Sequence, residues 1–293
     1  MKKTFNNSLE VEGLVKKYDS FKLGPVSFSI KEGEIVGFIG RNGAGKTTTL
    51  KSIYNLVLKN EGSVKIFGEE FSQNETDIKQ RVGFMLGGVD FYAKTKIKKI
   101  TEVVKRFYKE WDEDLYRKYL KDFSLDENKK VAELSEGMKV KYNLALALSH
   151  HATLLILDEP TSGLDPISRD EVTDIFTALT EDHKTSILFS THITEDLEKC
   201  ADRIIYIKEG QIIEDEELNV FKNKYLLLKG NKDDLTEKIK TLSVSYRVYR
   251  KEFEALFLRK DEELIKEMKP IIPDLETIMV LSERSDKDVE SNL

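Results

Sequence analysis

The chain has 293 residues, of which 40% are hydrophobic and 34% charged, with a net charge of -6. That length holds one large domain or a domain with an appendage, and the composition excludes a fibrous or wholly disordered chain. The acidic balance argues against a surface built for nucleic acid, so no nucleic-acid partner is expected, and the single cysteine, Cys200, excludes an internal disulfide and suits a reducing compartment.

At the N-terminus, Lys2 and Lys3 are followed by polar Asn6, Asn7 and Ser8 where a secretory leader needs an apolar stretch, so no leader is expected. No run reaches the roughly 18 apolar residues of a membrane span. The richest, LALALSHHATLLIL, is broken by Ser149, His150 and His151. Gly33 opens a turn into a buried strand over 34–39, then a glycine-rich loop, then helical spacing over 46–58. After a lysine-, glutamate- and aromatic-rich stretch, 94–149, which reads as a helical insertion, the alternation resumes. Strands are expected over 153–157, 185–190 and 203–207, with helices over 168–179 and 195–200. Strands alternating with helices predict a mostly parallel sheet covered on both faces.

Beyond Gly210 the character changes. KYLLLKG (224–230) reads as a strand and 233–240 as a short helix. Residues 243–250 alternate, with Val244, Tyr246 and Val248 on one face. Phe257 falls in a further strand, 261–268 is helical, and Pro270 and Pro273 precede a last helix capped by Asp274. The expected division is 1–218 and 219–293, the second part a small α+β appendage ending in a disordered tail, SDKDVESNL.

GRNGAGKTT (40–48) fits G-x-x-x-x-G-K-[ST] between a strand and a helix. Its glycines let successive amides of Asn42, Gly43, Ala44, Gly45, Lys46, Thr47 and Thr48 curl around anionic oxygens, at the positive end of the following helix. Lys46 supplies a mobile charge for the β- and γ-phosphates, and the Thr47 hydroxyl is a candidate Mg²⁺ ligand. In TLLILDEPTSGLDP (153–166), Asp158 ends a buried strand, where ligands of open α/β sheets sit, and is the second candidate Mg²⁺ ligand. Glu159 is the candidate to polarise an attacking water. His192 follows a third apolar strand, where a neutral imidazole can reach the γ-phosphate or the water; His150, His151 and His183 read as surface or packing residues. Kinases, GTPases and helicase-like motors share the phosphate loop, so it leaves the class open.

LSEGM (134–138) narrows it. The whole set resembles the ATP-binding subunit of ATP-binding-cassette (ABC) transporters over residues 8–215, most of all those of bacterial peptide and drug exporters. GRNGAGKTT resembles the Walker A loop, LLILDE the Walker B strand, SGLD (162–165) the D-loop, His192 the switch histidine and LSEGM the LSGGQ signature. The resemblance implies a P-loop NTPase (RecA-like) core with a helical insertion at about 90–150, binding ATP with Mg²⁺. It implies a head-to-tail dimer, with a second copy or a paralogous cassette, in which Ser135 and Gly137 close over the partner's γ-phosphate and Asp165 lies at the seam. It also implies that Tyr18 stacks on adenine, and that the chain drives a separate transmembrane permease from the cytoplasmic face of the membrane. Two departures stand out. Glu136 and Met138 replace Gly and Gln of the signature, so either Glu136 faces away from phosphate or the closed state is weakened. The glutamine that follows the next strand in the family is absent: Gly87 or Gly88 stands there, and Gln80 lies on the wrong side of the strand, so hydrolysis is expected to be slower or to lean more on partner contacts. Phe91 and Tyr92 are candidate contacts for the permease. A soluble ribosome- or DNA-linked ABC ATPase and a degenerate regulatory cassette are the alternatives.

Overall fold

A computed structural model of the chain describes residues 6–86 and 92–283. Two compact units divide between Asp215 and Glu216. The first unit opens with β1 (Asn7–Lys17), β2 (Lys22–Lys31), β3 (Ile35–Ile39), α1 (Lys46–Ile53), β4 (Glu61–Ile66), β5 (Glu69–Glu70), α2 (Phe71–Lys79) and β6 (Val82–Met85). Three helices follow, α3 (Ile97–Val104), α4 (Glu113–Asp122) and α5 (Glu136–Ser149). The unit closes with β7 (Leu154–Asp158), α6 (Pro166–His183), β8 (Ser186–Thr191), α7 (Thr194–Cys200), β9 (Arg203–Lys208) and β10 (Gln211–Glu217), whose end passes the division.

The central sheet has the order β10-β9-β3-β8-β7-β6, with β9, β3, β8, β7 and β6 paired in parallel. β3, β7 and β8 are buried at every residue, as unbroken apolar strands covered on both faces must be. Because β3, β7 and β8 are adjacent and parallel, the residues that follow them emerge at one edge of the sheet: the phosphate loop, the Asp158–Glu159 pair and His192. A second sheet, β2-β1-β4-β5, is antiparallel and packs into the same core, where Leu9, Val11 and Val64 join Val36, Phe38, Leu154 and Leu188. This sheet is additional to the strands expected from the sequence. Register shifts in β1 pair buried neighbours, Ser8 with Leu9 and Leu14 with Val15, where alternation would separate them, which erases the period-2 signal.

α2, β10 and, in the second unit, the helix Leu218–Asn223 are likewise additional, and the elements expected from the sequence differ at their ends. α1 stops at Ile53 rather than near residue 58, because Asn55 takes left-handed backbone (φ 60°) and Leu56 and Leu58 are exposed. α6 begins earlier than expected, at Pro166, because Asp165 accepts from the amides of Ile167 and Ser168 and Pro suits the first turn. The helical insertion has its own small core, Ile97, Tyr116, Leu134, Tyr142 and Ala145 among it. At its centre the Thr101 hydroxyl meets those of Tyr116 (2.8 Å) and Tyr142 (2.9 Å). Three lysines of this insertion face acids: Lys98–Glu127 (2.9 Å), Lys105–Glu102 (2.8 Å) and Lys109–Asp77 (3.1 Å).

The second unit contains α8 (Leu218–Asn223), β11 (Tyr225–Asn231), α9 (Glu237–Leu242), β12 (Ser245–Tyr249), β13 (Glu252–Leu258), α10 (Glu262–Ile265) and α11 (Leu275–Glu283). Its sheet, β11-β13-β12, is antiparallel. Leu226, Leu228, Phe253, Ala255 and Phe257 form one buried face, against Ile239 and Ile265. Tyr246 and Val248 pack there as expected, but Val244 precedes the strand and is exposed. Asp274 caps the last helix, accepting from the Thr277 amide at 2.7 Å. The tail expected to be disordered lies outside the described residues.

Candidate functional site

The phosphate loop turns on Gly43 (φ 83°) and Gly45 (φ 111°), conformations a side chain would strain. Gly45 is the N-cap of α1 and offers no side-chain cap, which leaves the first-turn amides available to an anion. Lys46, 5% exposed, curls back so that Nζ donates to the Gly40 carbonyl at 2.7 Å. A cavity of about 470 Å³ opens over the loop. Arg41, Asn42, Gly43, Gly45, Lys46, Thr47 and Thr48 line it, and Glu159, Ser162, His192 and Phe21 complete its wall. Ala44 is buried in the loop beside them.

Opposite the loop, Asp158 is 5% exposed at the end of β7. Its Oδ1 accepts from the hydroxyls of Ser190 (2.6 Å) and Thr47 (3.1 Å). A hydroxyl and a carboxylate side by side are hard oxygen donors of the kind Mg²⁺ takes, with waters completing its shell, so the donor set fits that ion. Glu159 adopts left-handed backbone (φ 49°). Its amide is held by both oxygens of Ser190, the carbonyl at 3.1 Å and the hydroxyl at 3.0 Å. That conformation turns its side chain into the cavity, where Oε1 lies 3.2 Å from Lys46 Nζ and Oε2 is 2.8 Å from His192 Nδ1. One carboxylate thus stands between the lysine and the imidazole that the sequence singles out.

Ser135, Gly137 and Asp165 form a separate group, none of them lining the cavity. Ser135 is the N-cap of α5, accepting from the Met138 amide at 3.2 Å. Gly137 sits against α6 so closely that a Cβ would lie 3.0 Å from Ser168. Ser168 in turn donates its hydroxyl to Asp165 at 2.7 Å, which holds the Asp165 carboxyl below the usual range. Glu136 is exposed and paired with Lys139 at 2.8 Å. Tyr18 is also outside the cavity lining; its ring is half exposed and its amide donates to the Phe21 carbonyl at 2.8 Å, closing the turn that carries Phe21. Phe21, Arg41, Ser162 and Ser190 were not singled out from the sequence. Ser190 precedes His192 by two residues, a weak signal on its own. Gln80 is held away from the site by bonds to Phe107 and Lys109. Gly87, Gly88 and Phe91 lie outside the described residues, and Tyr92 is exposed.

Among families of known proteins, the ABC transporter family model matches residues 23–162. The bacitracin transport ATP-binding protein BcrA of Bacillus licheniformis is 34% identical over 224 residues, covering 74% of this chain and 73% of that protein. The chain belongs to the ABC transporter ATP-binding family. Another relative of this ABC ATPase is the ABC transporter ATP-binding protein YtrB of Bacillus subtilis (strain 168), 31% identical over 219 residues, with 74% of this chain and 75% of that protein covered. Among solved structures, one described as the ATP-binding subunit of an ABC transporter superposes with a TM-score of 0.65 at 27% identity, over 73% of this chain and 91% of its own. The P-loop core with a helical insertion is therefore the ABC fold, and the activity is ATP hydrolysis coupled to transport. Among the described residues, no helix is long and apolar enough to cross a membrane.

Proposed function

We propose that this ABC ATPase is the energy-coupling subunit of an exporter of peptides or drugs, working as a pair of cassettes that clasp two ATPs. One observation carries the paired arrangement. The cavity over the phosphate loop is lined by the loop, Glu159 and the switch histidine, while Ser135 and Gly137 are not among its lining residues. A signature outside the lining of its own nucleotide cavity has a use if it meets the nucleotide of a second cassette. There the Ser135 hydroxyl and the N-terminal amides of α5 would face a phosphate arriving from outside. The partner is a second copy or a paralogous cassette, with Asp165 at the seam.

The residues divide the chemistry as follows. The loop amides of 42–48 cradle the phosphates, and Lys46 neutralises the β- and γ-oxygens. Thr47 and Asp158 would hold Mg²⁺, which when bound offsets phosphate charge. Tyr18, with Phe21 on the same turn, supplies an aromatic face to the base. Lys46 is paired with Glu159 at 3.2 Å. A γ-phosphate draws the lysine to itself, and the freed carboxylate then orients the attacking water. His192, held against Glu159, donates to the γ-phosphate or to that water.

The export assignment is supported by relatives whose names include bacitracin transport and Nod factor export. With no spanning helix among the described residues, the transmembrane path belongs to a permease, which would hold the chain at the cytoplasmic face. The test uses the full chain. Glu159→Gln is expected to lower ATP turnover by about 100-fold or more and to convert monomer to dimer at saturating Mg-ATP. Turnover equal to that of the unaltered chain would sink the catalytic assignment. A variant that stays monomeric, alone and with its permease, would sink the clasp.

A further inference from the structure

Three segments far apart in the chain meet where the helical insertion leaves the core. Gln80, at the end of α2, is bound at both ends of its amide: Nε2 donates to the Phe107 carbonyl at 2.9 Å and Oε1 accepts from the Lys109 amide at 2.8 Å. Its backbone carbonyl takes a third bond, from His150 Nδ1 at 2.9 Å. His150, at the C-terminal end of α5, is 3% exposed and stacks on Tyr108, ring centroids 3.7 Å apart and planes 8° from parallel. Around this point the Asp112 amide donates to the Ser149 carbonyl at 2.8 Å, and Lys109 pairs with Asp77 at 3.1 Å. None of these groups lines the nucleotide cavity.

We infer that Gln80, Tyr108 and His150 form a latch that positions the signature, by fixing the far end of the helix that presents it. α5 is a single helix with Ser135 at one cap and His150 at the other. At 1.5 Å per residue its 14 residues span about 20 Å, so a tilt of about 5° at the His150 end displaces Ser135 by about 2 Å. A displacement of that size breaks a hydrogen bond to phosphate. Restraint near the N-terminal end, from Gly137 against Ser168 and from Lys141–Glu171 at 2.7 Å, sets the distance to α6. It does not set the tilt by itself, because a rod needs two fixed points. Packing of Ala147 on Gly83 of β6 holds the helix farther along, and the latch fixes its end. Gln80 is suited to this because one rigid planar amide satisfies a carbonyl and an amide of the same strand of chain, which fixes orientation as well as distance. A glutamine that the sequence sets on the wrong side of the strand for metal contact thereby has a role of its own.

This inference rests on the paired arrangement proposed above, and the experiment separates the two. Full-length chains carrying Glu159→Gln are loaded with Mg-ATP, and the monomer–dimer equilibrium is measured by sedimentation; affinity of the monomer for fluorescent MANT-ATP is measured in parallel. Gln80→Ala and Tyr108→Ala are expected to weaken dimerisation about tenfold while leaving MANT-ATP affinity within twofold. Tyr108→Phe, which keeps the stacking ring, is expected to match the parent. Gln80 and Tyr108 are only partly buried, so these changes open no deep cavity. Ser135→Ala serves as the reference for the signature itself. Dimerisation lost in Ser135→Ala but unchanged in both latch variants overturns the latch and leaves the clasp standing. Dimerisation unchanged in Ser135→Ala overturns the clasp and the latch together. Weaker MANT-ATP binding in the latch variants, or a Tyr108→Phe chain as impaired as Tyr108→Ala, also overturns it.

Discussion

Replacing Ser190 by alanine tests how the acid pair is held. Its hydroxyl, fully buried, donates to Asp158 at 2.6 Å and accepts from the Glu159 amide at 3.0 Å. A bond to a carboxylate contributes about 2 kcal/mol. The second bond counts for less, because the Ser190 carbonyl still accepts from the Glu159 amide at 3.1 Å. It nevertheless helps hold Glu159 in left-handed backbone, whose cost is roughly 1–2 kcal/mol for a residue with a Cβ. Thr47 keeps its own bond to the same Asp158 oxygen, so the carboxylate is loosened and not orphaned. If about 2 kcal/mol of that ordering is expressed in the transition state, kcat falls about thirtyfold. Phosphate release at saturating Mg-ATP measures this, and thermal unfolding of the same sample gives the stability change. A folded Ser190→Ala chain that turns over ATP within twofold of the unaltered chain would refute the argument that Ser190 sets the Glu159 backbone.

Tyr18→Ala is expected to weaken MANT-ATP binding about tenfold, as loss of about 1–1.5 kcal/mol of stacking requires, with no change in melting temperature; if only Phe21→Ala weakens binding, the base lies on Phe21 instead. Burial pushes the His150 imidazole down from 6.5 to about 4. Its neutral form is the folded one, so its contribution is complete above the unfolded value near 6.5 and is lost as pH falls toward 4, by about 3 kcal/mol. Urea titrations at pH 7, 5.5 and 4.5 should show this component fall in His-bearing protein and vanish in His150→Phe, which keeps the stack. Burial also pushes the Cys200 thiol up to about 12, so alkylation by maleimide at pH 7 should be slow in the folded chain and fast in urea; rapid labelling of native protein would contradict that burial.

Much of the site was legible because its code is local. In GRNGAGKTT the glycines that reach positive φ, the lysine and the threonine are neighbours, and sterics alone bend the loop whatever surrounds it. LILDE and FSTH are short apolar strands followed by polar residues, and the periodicity locates both ends. α5 announces its cap with Ser135, and α6 with Asp165 followed by Pro166. The N-terminal sheet was not legible, because register shifts in β1 break the alternation on which such a reading depends. The length of α1 was missed because apolar residues continue past Asn55 without any helix to carry them.

By itself, then, the sequence determined the phosphate loop, the chemical identity of the acid pair and switch histidine, and the alternation that makes a parallel sheet. Those depend on backbone sterics and on period, which neighbours in the chain decide. Only the tertiary structure decided that Ser190 meets Asp158 across 32 residues and Thr47 meets it across 111. It likewise decided that Phe21 enters the nucleotide cavity and that Gln80 turns away from it. The physical reason is strand order: β3, β8 and β7 lie side by side, out of chain order, because of how their buried faces pack, and no spacing of residues along the chain records that adjacency.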